Sequence, residues 1–345
     1  MSTKAIDKNK LSELLNSLLF KQTLIAPVEA EEDILLFKNV ESADQVVLDY
    51  QNTITPVKDW FFSQTEELFE FKNKITELEI NDLPATDGEY ILFGARPCDL
   101  KSVELLDLVF DEDGEFSDSF YKEKRDRTTI IGLSCSEPGA YCFCNSLDGL
   151  SPTATCNADI MLTEMDGDYL VEVLTDKGEK LVSDNSSYFS DKYSEEDKET
   201  RTEEIVSNMK LTVDVDDIEA IMQKEDVYLS DYWQELSLKC LGCAVCTYIC
   251  PTCHCYDIRD YSRGNAGIRY RCWDSCMFND FTEAAGDHNP RPTRRERVRQ
   301  RFMHKLRFFD ERYGDTGCVG CGRCLEKCPV NLDITRVISD VKELA

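Results

Sequence analysis

Apolar positions along the chain change their period several times, and each change marks an element. Leu11, Leu14, Leu15, Leu18 and Leu19 recur three and four residues apart, so the N-terminal stretch reads as an amphipathic helix and not as the unbroken apolar core of a signal peptide. Residues 21–135 alternate strand and helix: TLIAPV, DILLFKNV, YILFGA and TTIIGLS are β-rich runs, and DLKSVELLDLVF forms a helix between the last two. That alternation predicts an α/β domain. Between 159 and 182, DIMLTEM, YLVEVLT and EKLV are separated by the turn-formers Asp166-Gly167-Asp168 and Asp176-Lys177-Gly178, which predicts antiparallel hairpins extending the same domain. Residues 184–231 are densely acidic, with enough Ile, Val and Met to form helices, and read as an exposed connector. Further on, Thr293 and Glu296 make a Thr-x-x-Glu capping box. Val298, Phe302, Leu306 and Phe309 then mark one apolar stripe of a helix.

Composition narrows the function classes. The net charge is −28, from 67 acidic and 39 basic residues, which argues against a nucleic-acid partner because phosphate recognition needs a basic face. No stretch approaches the roughly 18 consecutive apolar residues of a membrane span, so the expectation is a cytoplasmic chain without one. Seventeen cysteines in 345 residues are bunched like ligands and unlike the dispersed pairs of a short secreted scaffold, which points to a reducing compartment. At this length the chain has room for two or three domains.

The cysteines carry the chemistry. Cys240-x2-Cys243-x2-Cys246-x3-Cys250-Pro251 is repeated as Cys318-x2-Cys321-x2-Cys324-x3-Cys328-Pro329. Three closely spaced thiolates wrap three corners of one iron-sulfur cube, and the fourth cysteine, before proline, crosses to the other cube. The pattern assigns Cys240, Cys243, Cys246 and Cys328 to one [4Fe-4S] cluster, and Cys318, Cys321, Cys324 and Cys250 to a second. Structural zinc draws its ligands as two separated pairs, and fits less well. The 67 residues between Cys250 and Cys318 exceed the short link of a compact ferredoxin and include the capped helix, so an α-helical ferredoxin arrangement is expected. That helix is crowded with Arg294, Arg295, Arg297, Arg299, Arg301, Lys305 and Arg307. They form a solvated face, or they compensate cluster charge or dock an acidic partner.

Cys98 directly follows YILFGA and Cys135 follows TTIIGLS, with Cys142 and Cys144 close behind. If the two strands are parallel neighbours, the first two cysteines share the carboxyl edge where such sheets place ligands. A third [4Fe-4S] site from Cys98, Cys135, Cys142 and Cys144 is the functional reading; buried free thiols are the alternative. Cys253, Cys255, Cys272 and Cys276 are read as hydrogen-bond donors or packing residues beside a cluster, with a further metal site as the alternative, and Cys156 as uninvolved. Neither GxGxxG nor GxxxxGK[ST] occurs, and no His-based catalytic constellation emerges.

The fold expectation is an α+β multidomain chain: an N-terminal α/β domain with a β-hairpin extension (1–183), an acidic helical connector (184–235) and a C-terminal α-helical ferredoxin-like domain (236–345). The segments PVKDWFFSQTEELFEF (56–71), GARPCDL (94–100), IGLSCSEPGAYCFCNS (131–146), CLGCAVCTYICPTCHC (240–255), RCWDSC (271–276), DHNPRPTRRERVRQR (287–301) and CVGCGRCLEKCPV (318–330) resemble the iron-sulfur β subunit of cytoplasmic NiFe sulfhydrogenases and the A subunit of anaerobic sulfite reductase. The resemblance covers nearly the whole chain and is greater toward the hydrogenase branch. It implies an electron-transfer subunit without a substrate site of its own, relaying single electrons between a flavin- and NAD(P)-binding diaphorase subunit and a catalytic subunit, most readily a NiFe hydrogenase. It also retains Cys253, Cys255 and Cys276 along with Cys98, Cys135, Cys142 and Cys144, but not Cys156 or Cys272. Alternative settings are a sulfite reductase or an electron-bifurcating complex with heterodisulfide-reductase-like partners. A stand-alone redox enzyme and a zinc scaffold are the competing classes.

Overall fold

The computed structural model describes residues 2–74, 76–86, 88–111 and 116–344. Its larger sheet has eight strands in the order β10-β1-β9-β8-β7-β6-β2-β3. These are β1 (Ser2–Asp7), β2 (Thr23–Glu31), β3 (Ile34–Asn39), β6 (Tyr90–Ala95), β7 (Thr128–Leu133), β8 (Ile160–Glu164), β9 (Asp168–Val173) and β10 (Phe189–Ser190). The four central strands β2, β6, β7 and β8 run parallel, and antiparallel strands flank them on both sides. YILFGA and TTIIGL are nearly continuous apolar runs because both sheet faces are covered. On one face Leu11, Leu14, Leu15 and Leu18 of helix Lys8–Leu19 meet Ile91, Phe93, Ile131 and Leu133. On the other, Leu100, Val103 and Leu106 of helix Pro97–Phe110 meet Leu92 and Ile130.

The predicted strands at 23–28, 33–40, 90–95 and 128–134 and the helix between the last two are all present. DIMLTEM and YLVEVLT form the β8–β9 hairpin. EKLV, expected as a further strand, is instead part of helix Asp176–Asp184. Thr175 caps that helix by accepting from the Gly178 N–H, and Leu181 turns into the core, a helical and not an alternating pattern. The acidic connector is helical over Glu195–Ser207, Ile218–Gln223 and Glu225–Leu229, but it is only partly exposed. Val213, Met222 and Val227 are buried in the C-terminal core with Trp233, Phe302 and Val337.

A second, four-stranded antiparallel sheet, ordered β11-β12-β4-β5, joins β4 (Thr65–Lys74) and β5 (Glu77–Asp82) to β11 (Tyr256–Arg263) and β12 (Ala266–Trp273). The long insert between the cysteine motifs is therefore not wholly helical; it begins with a hairpin that pairs across the molecule through β12 and β4. Trp273 closes this junction, stacked on Phe62 and donating its indole N–H to the Phe62 carbonyl at 2.9 Å. The capped helix follows as Arg294–Met303, a π-helical turn at His304–Phe308 and Phe309–Tyr313, with the Thr293/Glu296 box formed.

Candidate metal centres

Local backbone shape sets the two repeated motifs. In CLGCAVC, Gly242 (φ 72°) and Ala244 (φ 62°) take left-handed conformations, and in CVGCGRC Gly320 (φ 59°) and Gly322 (φ 76°) occupy the corresponding positions. Each loop curls its amides inward before a single helical turn, Val245–Tyr248 or Arg323–Glu326. The Gly242 N–H points at Cys240 Sγ at 3.3 Å, and the Leu332 N–H at Cys328 Sγ at 3.2 Å. Such donors stabilise thiolate and tune a bound group.

Cys240, Cys243, Cys246 and Cys328 line one cavity, walled by Met277, Val298, Phe302 and Leu332. Three of them come from the first motif and one from the second. Cys250, Cys318, Cys321 and Cys324 form a second group, close enough that their charges bear on one another. Burial first, and then these neighbours acting against the charges of Arg323 and Arg301, push the Cys321 thiol up to about 12 and raise that of Cys324 as well. Cys250 is the exception. A hydrogen bond from Cys253, followed by the charges of Lys305 and Lys58, holds it well below the usual thiol range despite full burial. Lys305 Nζ lies 3.1 Å from Cys250 Sγ and also donates to Thr252 Oγ1 and the Gly317 carbonyl, each at 2.9 Å.

Cys98, Cys135, Cys142 and Cys144 line a third cavity together with Asn52, Pro97, Gly320 and Cys321. β6 and β7 are indeed parallel neighbours, with Ala95 opposite Gly132, so Cys98 in the first helical turn and Cys135 just past β7 emerge at one carboxyl edge. Burial pushes Cys135 to about 11. This cavity abuts the second group directly. Phe143 N–H donates to the Gly320 carbonyl at 2.9 Å, Asn52 Nδ2 to the Cys321 carbonyl at 2.9 Å, and a Cβ on Gly320 would sit 2.7 Å from the Cys144 backbone. Between the two groups, Arg323, next to Cys324, pairs with the buried Asp99, next to Cys98, at 3.0 Å.

All seventeen cysteines are free thiols. Cys253 bonds Cys250, and Cys255 and Cys276 bond each other, so these three sit beside the groups as hydrogen-bonding partners. Cys272 lies in β12 opposite Asp257, and Cys156 stands apart near Lys101 and Glu104. Among the described residues, no three His, Cys, Asp or Glu side chains converge closely enough for a single metal ion. The tetrads line cavities instead.

The sequence named Arg301 among seven basic helix residues, with compensation of cluster charge as one of their readings, but did not single it out as the residue that tests what those cavities suit. Arg301 is 3 % exposed, lines the first cavity, and none of its three guanidinium nitrogens has a hydrogen-bond partner. An isolated buried cation is costly unless an anion compensates it. Burial opposes its charge, but Cys246, Cys324, Cys253 and Cys250 together hold it protonated. A thiolate-ligated, net-negative cluster fits this setting. The signal was present: positions 298, 301, 302, 305 and 309 share one helical face, so Arg301 and Lys305 are the basic residues lying on the apolar stripe.

Among the described residues no helix is long and apolar enough to cross a membrane. The family described as 4Fe-4S dicluster domain matches residues 239–332. Sulfhydrogenase 2 subunit beta of Pyrococcus furiosus is 35% identical over 311 residues, 89% of this chain and 89% of that protein. No solved structure matches. With both cysteine motifs inside the matched domain and the identity running almost end to end, the chain belongs to the sulfhydrogenase β-subunit family of 4Fe-4S dicluster proteins.

Proposed function

We propose that this iron-sulfur electron-transfer subunit carries three [4Fe-4S] sites in a row and relays single electrons between a flavin- and NAD(P)-binding subunit and a NiFe hydrogenase catalytic subunit. The reading places Cys240, Cys243, Cys246 and Cys328 on the first site, Cys250, Cys318, Cys321 and Cys324 on the second, and Cys98, Cys135, Cys142 and Cys144 on the third. Residues 236–345 then carry the two ferredoxin-type sites, 1–183 the third, and 184–235 connects them. Bound clusters would supply reversible one-electron storage. The protein's part is to hold the thiolates, to exclude water with Phe302, Met277 and Leu332, and to fix cations beside the sulfurs.

The observation that carries the reading is contiguity. Cys321 of the second group also lines the third cavity, and Arg301 on the wall of the first cavity feels Cys324 and Cys250 of the second. Iron analysis of anaerobically loaded protein tests the number of sites: about twelve irons per chain are expected, and about eight would remove the third. Anaerobic co-purification from native cells tests the partners. Flavoprotein and NiFe subunits are expected, and a siroheme or heterodisulfide-reductase-like subunit in their place would overturn the assignment.

A further inference from the structure

Two cations on consecutive turns of one helix are buried at the cysteines, where an electron carrier needs neither for ligation. Lys305 is 6 % exposed and places its ammonium on Cys250 Sγ at 3.1 Å. Arg301, one turn earlier, is 3 % exposed, lines the first cavity with Cys246, and feels the charge of Cys324 of the second group. The π-helical turn begins right after Met303 and includes Lys305. The third group is differently furnished. Arg323, between the second and third groups, is paired with Asp99, and the Arg96 guanidinium beside the third is tied to the carbonyls of Leu48, Tyr50, Leu133 and Ser134.

We propose that Lys305 and Arg301 are electrostatic positioning residues that make the Cys250–Cys318–Cys321–Cys324 site the highest-potential of the three, an electron well between the two outer sites. The inference rests on the three-site relay reading. One electron arrives from a reduced partner carrying a flavin or metal centre and leaves to an oxidised one; no bond forms or breaks. Each arrival adds one negative charge, which a neighbouring cation favours. Charges this deeply buried are screened little by solvent or salt. Lys305 touches a ligand of the central site alone, whereas Arg301 is shared between the central and first sites. The central site therefore receives the larger share of positive charge. An electron then rests there until a downstream acceptor draws it on.

The test is an anaerobic potentiometric titration of the full-length, iron-loaded chain, followed by electron paramagnetic resonance, with iron measured on the same samples. In the unmodified protein, Cys321→Ser should alter the signal of the centre reduced first. If Cys243→Ser or Cys142→Ser alters that signal instead, the central site is not the well and the proposal fails. Lys305→Gln should lower the first-reduced midpoint by about 59 mV or more, a tenfold change in its one-electron equilibrium. Arg301→Gln should lower two midpoints, and Arg301→Lys, which keeps the charge, should restore both. Full iron with unmoved midpoints in Lys305→Gln and Arg301→Gln would overturn the electrostatic role while leaving the relay intact. Unmodified protein loaded with only about eight irons would instead overturn the three-site reading.

Discussion

At the residue scale, the chain places charge where a hydrophobic core would exclude it, and each instance has a measurable consequence. Asp99 is fully buried and its partner Arg323 nearly so. Replacing Arg323 by Ala strands a carboxylate in the core and should destabilise the protein by about 3–5 kcal/mol, read as a lower midpoint in chemical denaturation. The double variant with Asp99→Asn should recover part of that loss, because no bare charge remains. Cys324→Ala should remove one centre from the reduced spectrum and interrupt electron transfer; an unchanged spectrum would refute its place as a ligand. The cysteine spacings announced this assignment, but the Asp99–Arg323 pair was invisible to the sequence because its members are 224 residues apart and each is an ordinary charged residue locally.

At the element scale, the helix that begins at Arg294 determines the geometry of two sites through one face. Its start is fixed by the Thr293/Glu296 box, with Glu296 accepting from the Thr293 N–H at 3.0 Å. Thr293→Ala should cost about 0.5–2 kcal/mol with an unchanged denaturant slope, since the helix frays without the domain losing compactness. Its start and its apolar stripe were legible from capping chemistry and 3.6-residue periodicity, but its π-helical turn was not. The pairing of β12 with β4 was not. Their partners lie about two hundred residues apart, and largely exposed strands such as TEELFEFKNK carry an alternation too weak to name a partner. EKLV failed for a related reason: four residues satisfy either period, and the Thr175 cap decided for helix.

At the scale of the whole molecule, cofactor and fold are coupled. The C-terminal core counts Cys321 and Cys276 among its buried members and encloses the uncompensated Arg301. Chelating the iron should leave that cation without its counter-charge, so the apo chain should melt at a lower temperature than the loaded chain and regain the difference on anaerobic reconstitution. Equal melting curves would mean that the cavities are held open by the polypeptide alone. The acidic remainder of the surface, net −28 over the chain, plays no part in this local balance. The two buried cations act over a few ångströms, in a medium that screens them weakly.

The sequence by itself determined the ligand chemistry, because a thiolate repeat spaced two, two and three residues apart is a local property that survives any packing. It also determined the strand-helix-strand run that carries Cys98 and Cys135, since hydrophobic period and buried strands are written along the chain; that the two strands are parallel neighbours sharing one edge came from the fold. Only the tertiary structure decided which cysteines face one cavity, that the third tetrad abuts Cys321, and that two arginine-rich-helix cations are buried while their neighbours are not. Those outcomes depend on contacts between segments far apart in sequence, and on burial, which turns an ordinary surface charge into a force on the site beside it.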